Sequence, residues 1–214
     1  MDDQSTEHDK IDPEWEIDTL PNRLTLFRVV LIPIILGSLY LNLLDFPWLV
    51  GLKKTFGYIA AWTFVGASIT DFLDGYIARK RNIVTVFGSF LDPIADKFLI
   101  VSSLILLQEL GRIPVLIVIT LVLREIYITA LRLLANEKGL VVAVGQLGKV
   151  KTATQMVGIP LLMAYDTPWG IPMIPIGNIL IYLASIFSLY SALEYSLGLV
   201  KKLKIKKEEA RANK

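Results

Sequence analysis

The sequence has no cysteine, which excludes disulfides, thiolate metal sites and cysteine nucleophiles. It has one histidine, His8, in a polar, acidic N-terminal stretch that reads as a solvated tail. No imidazole is available elsewhere, so metal chemistry must use oxygen ligands, which favours Mg²⁺, Mn²⁺ or Ca²⁺ over zinc. Residues 1–20 lack the apolar core of a cleavable signal peptide. There is no internal repeat, no heptad run and no inverted duplication of the kind that marks many transporters. The period-2 alternation of membrane-barrel strands is also missing.

Long apolar runs are abundant. The chain is 54% hydrophobic with a mean hydropathy of +0.56, above the usual apolar share of a soluble domain. Several runs approach the roughly 20 residues needed to cross a bilayer. The expected fold is all-α and polytopic, since only helices and closed barrels satisfy the backbone in lipid. Six transmembrane helices are expected at about 24–45, 55–79, 88–110, 112–135, 149–165 and 172–198. The fifth contains Gly158 and Pro160, which favour a kink or an early end. This divides the chain into a tail at 1–20, a membrane catalytic domain at 21–198 and a basic tail at 199–214. Ile11, Trp15, Ile17 and Leu20 suit either a short interfacial helix or a disordered tail.

Charge distribution orients the expected bundle. Of the 22 Lys and Arg, only Lys53, Lys54 and Arg112 fall on the outer side when both termini are inside, with Arg124 inside the fourth span. That asymmetry favours cytoplasmic termini by the positive-inside rule. Lys201, Lys202, Lys204, Lys206 and Lys207 follow an apolar helix and read as an anchor against anionic membrane lipid, with no nucleic acid as partner.

Four carboxylates interrupt the second and third runs: Asp71, Asp74, Asp92 and Asp96. A carboxylate at membrane depth costs a few kcal/mol and normally marks a functional site. Asp71 and Asp74 share one helical face, as do Asp92 and Asp96. A tight turn between the two spans lets the pairs converge. Two unit charges 4 Å apart repel by about 4 kcal/mol at an effective dielectric near 20, so such a cluster needs cations. Two bridged divalent ions are the arrangement used for in-line displacement at phosphorus. Gly75 and Gly88 allow a bulky ligand to approach the backbone, and Ala78 clears the face of Asp74. Arg79 offers a donor fork suited to phosphate oxygens.

The pattern D-x2-D-G-x2-A-R-x8-G-x3-D-x3-D, from Asp71 to Asp96, resembles that of the CDP-alcohol phosphotransferases. Three further segments are similar to the bacterial phosphatidylglycerol-phosphate synthases within that family. These are Pro21–Thr25 with Arg28 and Pro33, R-E-I-Y-I-T-A-L-R from Arg124 to Arg132, and G-K-V-K-T-A-T-Q from Gly148 to Gln155. The resemblance spans about Pro21 to Tyr195 and implies a homodimeric six-helix enzyme of the bacterial inner membrane with a cytoplasmic active site. It implies transfer from CDP-diacylglycerol to sn-glycerol 3-phosphate with release of CMP, using two Mg²⁺ or Mn²⁺ ions. By the same resemblance Asp71, Asp74, Asp92 and Asp96 are metal ligands, and Asp96 is also the general base. The CDP contacts are Asn22, Thr25, Asp74, Gly75, Ala78, Arg79 and Gly88.

Arg124, Arg132, Lys149 and Lys151 cluster near the cytoplasmic half of spans four and five, which suits an acceptor bearing a phosphate dianion. Inositol phosphate, another alcohol phosphate, needs a similar basic pocket. A divalent-cation transporter also uses intramembrane carboxylates, but it leaves Gly75, Ala78, Arg79 and Gly88 unexplained.

Overall fold

A computed structural model describes residues 20–81, 86–140 and 145–212, with side chains described for 23–73, 94–140, 145–168, 170–208 and Arg211. Six α-helices and no strand occur among the described residues. They are α1 (Leu20–Leu43), α2 (Lys53–Arg81), α3 (Val86–Glu109), α4 (Val115–Glu137), α5 (Gln146–Ala164) and α6 (Met173–Ala212). Short 3₁₀ turns, Pro47–Leu52 and Pro168–Gly170, lead into α2 and α6. The interfacial helix considered for residues 1–20 lies almost wholly outside the described residues.

Among the described residues, three segments are long and apolar enough to cross a membrane: Arg23–Leu43, Pro47–Leu73 and Met173–Glu208. The distribution of side chains fits a lipid surround. Trp62, Phe72, Leu116 and Leu197 are 71–72% exposed on the outside of the bundle, while Arg28, Arg124, Lys151 and Gln155 are buried inside it. A water-soluble bundle would bury the first group and expose the second.

The main core is apolar and close-packed, joining Ile35 and Leu39 of α1 to Phe64 of α2, Leu107 of α3, Leu121 of α4 and Leu162 of α5. A smaller cluster joins Ile128 and Ala135 of α4 to Ala192, Tyr195 and Leu199 of α6. The largest helix contacts are α5 with α6 and α1 with α2. Helix α1 also packs on α3, whereas α2 and α3 touch each other far less among the described residues. Helix α1 is thus a common neighbour of the two carboxylate-bearing helices.

Two helices run further than their composition suggests. Helix α5 continues through Pro160 to Ala164 and ends at Tyr165 in the left-handed region, φ 49°. Its proline lacks one hydrogen-bond donor, but tertiary packing keeps the turn helical: Ile159, Pro160 and Leu162 are all buried. Helix α6 has 40 residues, about 60 Å at 1.5 Å per residue, twice the hydrocarbon thickness of a bilayer. The basic segment from position 199 through 212 is its continuation.

One end of the bundle is fastened by polar contacts. Arg112 donates from Nη1 to the carbonyl oxygens of Leu162 and Met163, each at 2.8 Å, capping α5. Its guanidinium lies 4.4 Å from the centroid of the Tyr165 ring. Asp166, just beyond α5, accepts from Tyr58 Oη at 2.7 Å and pairs with Lys54 Nζ at 2.8 Å. These contacts, led by the hydrogen bonds from Lys54 and Tyr58, hold the Asp166 carboxyl at about 2 instead of 3.8. Helix α2 approaches α5 so closely here that a Cβ on Gly57 would lie 2.7 Å from the Met163 carbonyl oxygen.

Gly57→Val is therefore expected to lower the melting temperature of the detergent-solubilised protein, because backbone must move to admit it. Asp166→Asn is also expected to lower it at neutral pH. Since the folded carboxyl titrates lower than the unfolded one, its stabilisation is present above pH 4 and disappears between about pH 4 and 2. Melting curves of wild type and Asp166→Asn should converge across that interval, and a constant gap would remove the ionic role.

Candidate active site

The site is built where α1, α2 and α3 meet, at the end opposite the Arg112–Asp166 contacts. Asp71 follows an apolar stretch of α2 and Asp96 lies on α3 beside buried Ala95. Both reach toward Arg28 of α1. Arg28 Nη1 lies 2.8 Å from Asp71 Oδ1 and 3.2 Å from Asp96 Oδ1. The Arg28 side chain is 0% exposed, against 26% for Asp71 and 38% for Asp96. The carboxylates thus form the accessible lip of the site and the guanidinium its floor. Thr25, three residues before Arg28 and on the same helical face, is also buried.

Asp74, Gly75, Ala78, Arg79, Gly88 and Asp92 lie on the helical backbones of α2 and α3, as does Asn22 on α1. Their side chains lie outside the described residues. No cluster of three or more carboxylates therefore occurs among the described residues. The two described members do meet at one point: their oxygens contact the same guanidinium nitrogen. An all-oxygen pair converging in this way suits a hard divalent cation.

The four expected acceptor contacts separate into two groups. Arg124 and Lys151 are buried and meet through Glu125, whose Oε1 lies 3.2 Å from Arg124 Nη1 and accepts a short contact from Lys151 Nζ. Arg124 also donates from Nε to the Ser188 carbonyl at 3.2 Å and from Nη2 to Ser191 Oγ at 3.1 Å. Arg132 and Lys149 are exposed. The charge of Arg132 still bears on Arg124 and Lys151, and that of Lys97, next to Asp96, bears on Glu125.

Three residues here were not among the expected site residues. Glu125 is the anionic partner that a cation at Arg124 demands, and the membrane-depth rule that singles out Asp71 applies equally to it. Arg28, a lone cation in L-F-R-V-V-L, carries the same signal with the opposite sign. Gln155 lies one turn after Lys151 on α5, is 0% exposed, and neither its Oε1 nor its Nε2 has a hydrogen-bond partner among the described residues. Ser188 Oγ, on α6, shares that condition.

Between α2 and α5 runs an apolar groove of about 520 Å³, lined by Trp62, Val65, Ile69, Phe72, Val157 and Leu161. It begins at Phe72, next to Asp71, and ends near Tyr58. That is about 21 Å along the helix at 1.5 Å per residue.

Gln155→Leu is expected to raise the melting temperature, because a buried unsatisfied carboxamide costs about 1–3 kcal/mol. An unchanged or lower melting temperature would show that the carboxamide is satisfied in the folded protein.

The sequence matches the CDP-alcohol phosphatidyltransferase family over residues 18–190. It is 39% identical over 181 residues to a Bacillus subtilis protein named CDP-diacylglycerol–glycerol-3-phosphate 3-phosphatidyltransferase, covering 82% of this chain and 92% of that protein. A Haemophilus influenzae protein of the same name is 39% identical over 184 residues, covering 82% and 90%. An Arabidopsis thaliana relative, named as the second such enzyme, is 38% identical over 194 residues, covering 84% and 79%.

Proposed function

Since this chain belongs to the CDP-alcohol phosphatidyltransferase family, we propose that it moves the phosphatidyl group of CDP-diacylglycerol to sn-glycerol 3-phosphate, giving phosphatidylglycerol phosphate and CMP. The observation that carries this proposal is the shared name of bacterial and plant relatives that each match more than four-fifths of the chain. The proposal includes six membrane spans, a homodimer, and a site and termini on the cytoplasmic face of a bacterial inner membrane. The apolar exterior and the charge asymmetry of the sequence support the membrane setting.

Asp71, Asp74, Asp92 and Asp96 would hold two divalent cations, Mg²⁺ or Mn²⁺. Such ions supply positive charge to the pyrophosphate as its bond breaks. The acceptor's primary hydroxyl attacks the phosphorus bearing the diacylglycerol, the phosphoanhydride bond opens in line, and CMP leaves. Asp96 receives the hydroxyl proton. Asn22, Thr25, Gly75, Ala78, Arg79 and Gly88 are proposed to frame the CDP part, with Arg79 on its phosphates.

Arg124 and Lys151 receive the acceptor phosphate, with Arg132 and Lys149 adding positive potential at the entrance. Glu125 keeps the two buried cations in place and offsets their charge while the acceptor is absent. Gln155, one turn from Lys151, is available to hydrogen-bond an acceptor hydroxyl. The groove beginning at Phe72 suits one acyl chain of the donor, leaving its headgroup beside Asp71.

Purified protein given CDP-diacylglycerol and Mg²⁺ should release CMP with glycerol 3-phosphate and not with inositol phosphate, inositol or serine. Asp71→Ala and Asp92→Ala should each abolish that release while expression is retained. Normal turnover by either variant would remove the two-metal mechanism. Release with a different acceptor would reassign the Arg124–Lys151 cluster, and metal flux into proteoliposomes without CMP release would favour a cation transporter.

A further inference from the structure

Arg28 has no part in the chemistry above, yet it is the most deeply buried charge among the described residues. It stands on α1, the helix against which both α2 and α3 pack. From there a single nitrogen contacts Asp71 on α2 at 2.8 Å and Asp96 on α3 at 3.2 Å. Two carboxylates drawn to one point repel unless a cation opposes them. Arg28 supplies that cation permanently, because a guanidinium does not lose its proton in proteins. Its planar fork also fixes direction, which the point charge of a lysine does not.

We propose that Arg28 is a positioning residue for the divalent-cation site. It gathers Asp71 and Asp96 from two helices before a metal ion arrives, and afterwards keeps their carboxylates oriented from beneath. The inference rests on the metal-dependent function proposed above. Carboxylates that ligate metals are themselves held by hydrogen bonds, and losing such an outer partner typically costs 10- to 100-fold in metal affinity or activity. A guanidinium that only repelled the metal would have the opposite effect, since its removal would tighten metal binding. The two roles differ in sign.

The test is Mn²⁺ binding to full-length protein in detergent, followed by the paramagnetic resonance signal of free Mn²⁺ and by melting with and without the ion. Wild type should bind Mn²⁺ and melt higher in its presence. Arg28→Gln should bind about 10- to 100-fold more weakly, with a smaller Mn²⁺-induced rise in melting temperature and reduced CMP release. Arg28→Lys should fall between the two. Unchanged or tighter Mn²⁺ binding by folded Arg28→Gln overturns the proposal, even where its melting temperature drops. If Arg28→Gln does not fold, Arg28→Lys decides: a several-fold loss of affinity supports the positioning role, and wild-type affinity overturns it. Wild type that fails to bind Mn²⁺ overturns the metal site itself and this role with it.

Discussion

A positive charge buried between two negative ones is the constraint on which the site depends. Arg28 cannot remain at zero exposure without anions, and Asp71 and Asp96 cannot share a point without a cation. Each requirement satisfies the other. It also fits the packing order, in which α1 lies against both α2 and α3. The first helix is thus part of the site's foundation as well as a segment long and apolar enough to cross a membrane.

The same rule operates a second time between α4, α5 and α6. Glu125 lies between Arg124 and Lys151, and the backbone carbonyl of Ser188 completes the arrangement. Among the described residues the two clusters differ in sign: two carboxylates meet Arg28 in the first, and two cations meet Glu125 in the second. The first needs added cations before it can hold an anion, whereas the second does not. Arg28, Arg124 and Lys151 are buried within an apolar exterior, so their charges act in a medium that screens them weakly.

Much of this was legible in the sequence. Apolar run length located five helices to within a few residues at both ends, from 24–45 against Leu20–Leu43 to 149–165 against Gln146–Ala164, and the start of the sixth. The end of α6 was missed because hydropathy stops at the membrane while helix propensity does not: K-K-L-K-I-K-K-E-E-A-R consists of good helix formers. Asp71 and Asp96 stood out as isolated carboxylates in apolar surroundings. Glu125 is not legible in the same way, because nothing local shows that Lys151, 26 positions on, is its partner. Arg28 escaped for a related reason. Its partners lie on two other helices, and only the packing of α1 between them reveals the link.

The Arg112 cap, the Asp166 contacts and the close approach of Gly57 all lie at one end of the α2–α5 pair. The apolar groove lies between those helices and runs from that end to Phe72 beside Asp71. The fastened end therefore sets one limit of the slot, and Phe72, fourteen positions on from Tyr58, sets the other, so the length of any apolar guest is gauged from the Asp166 contacts.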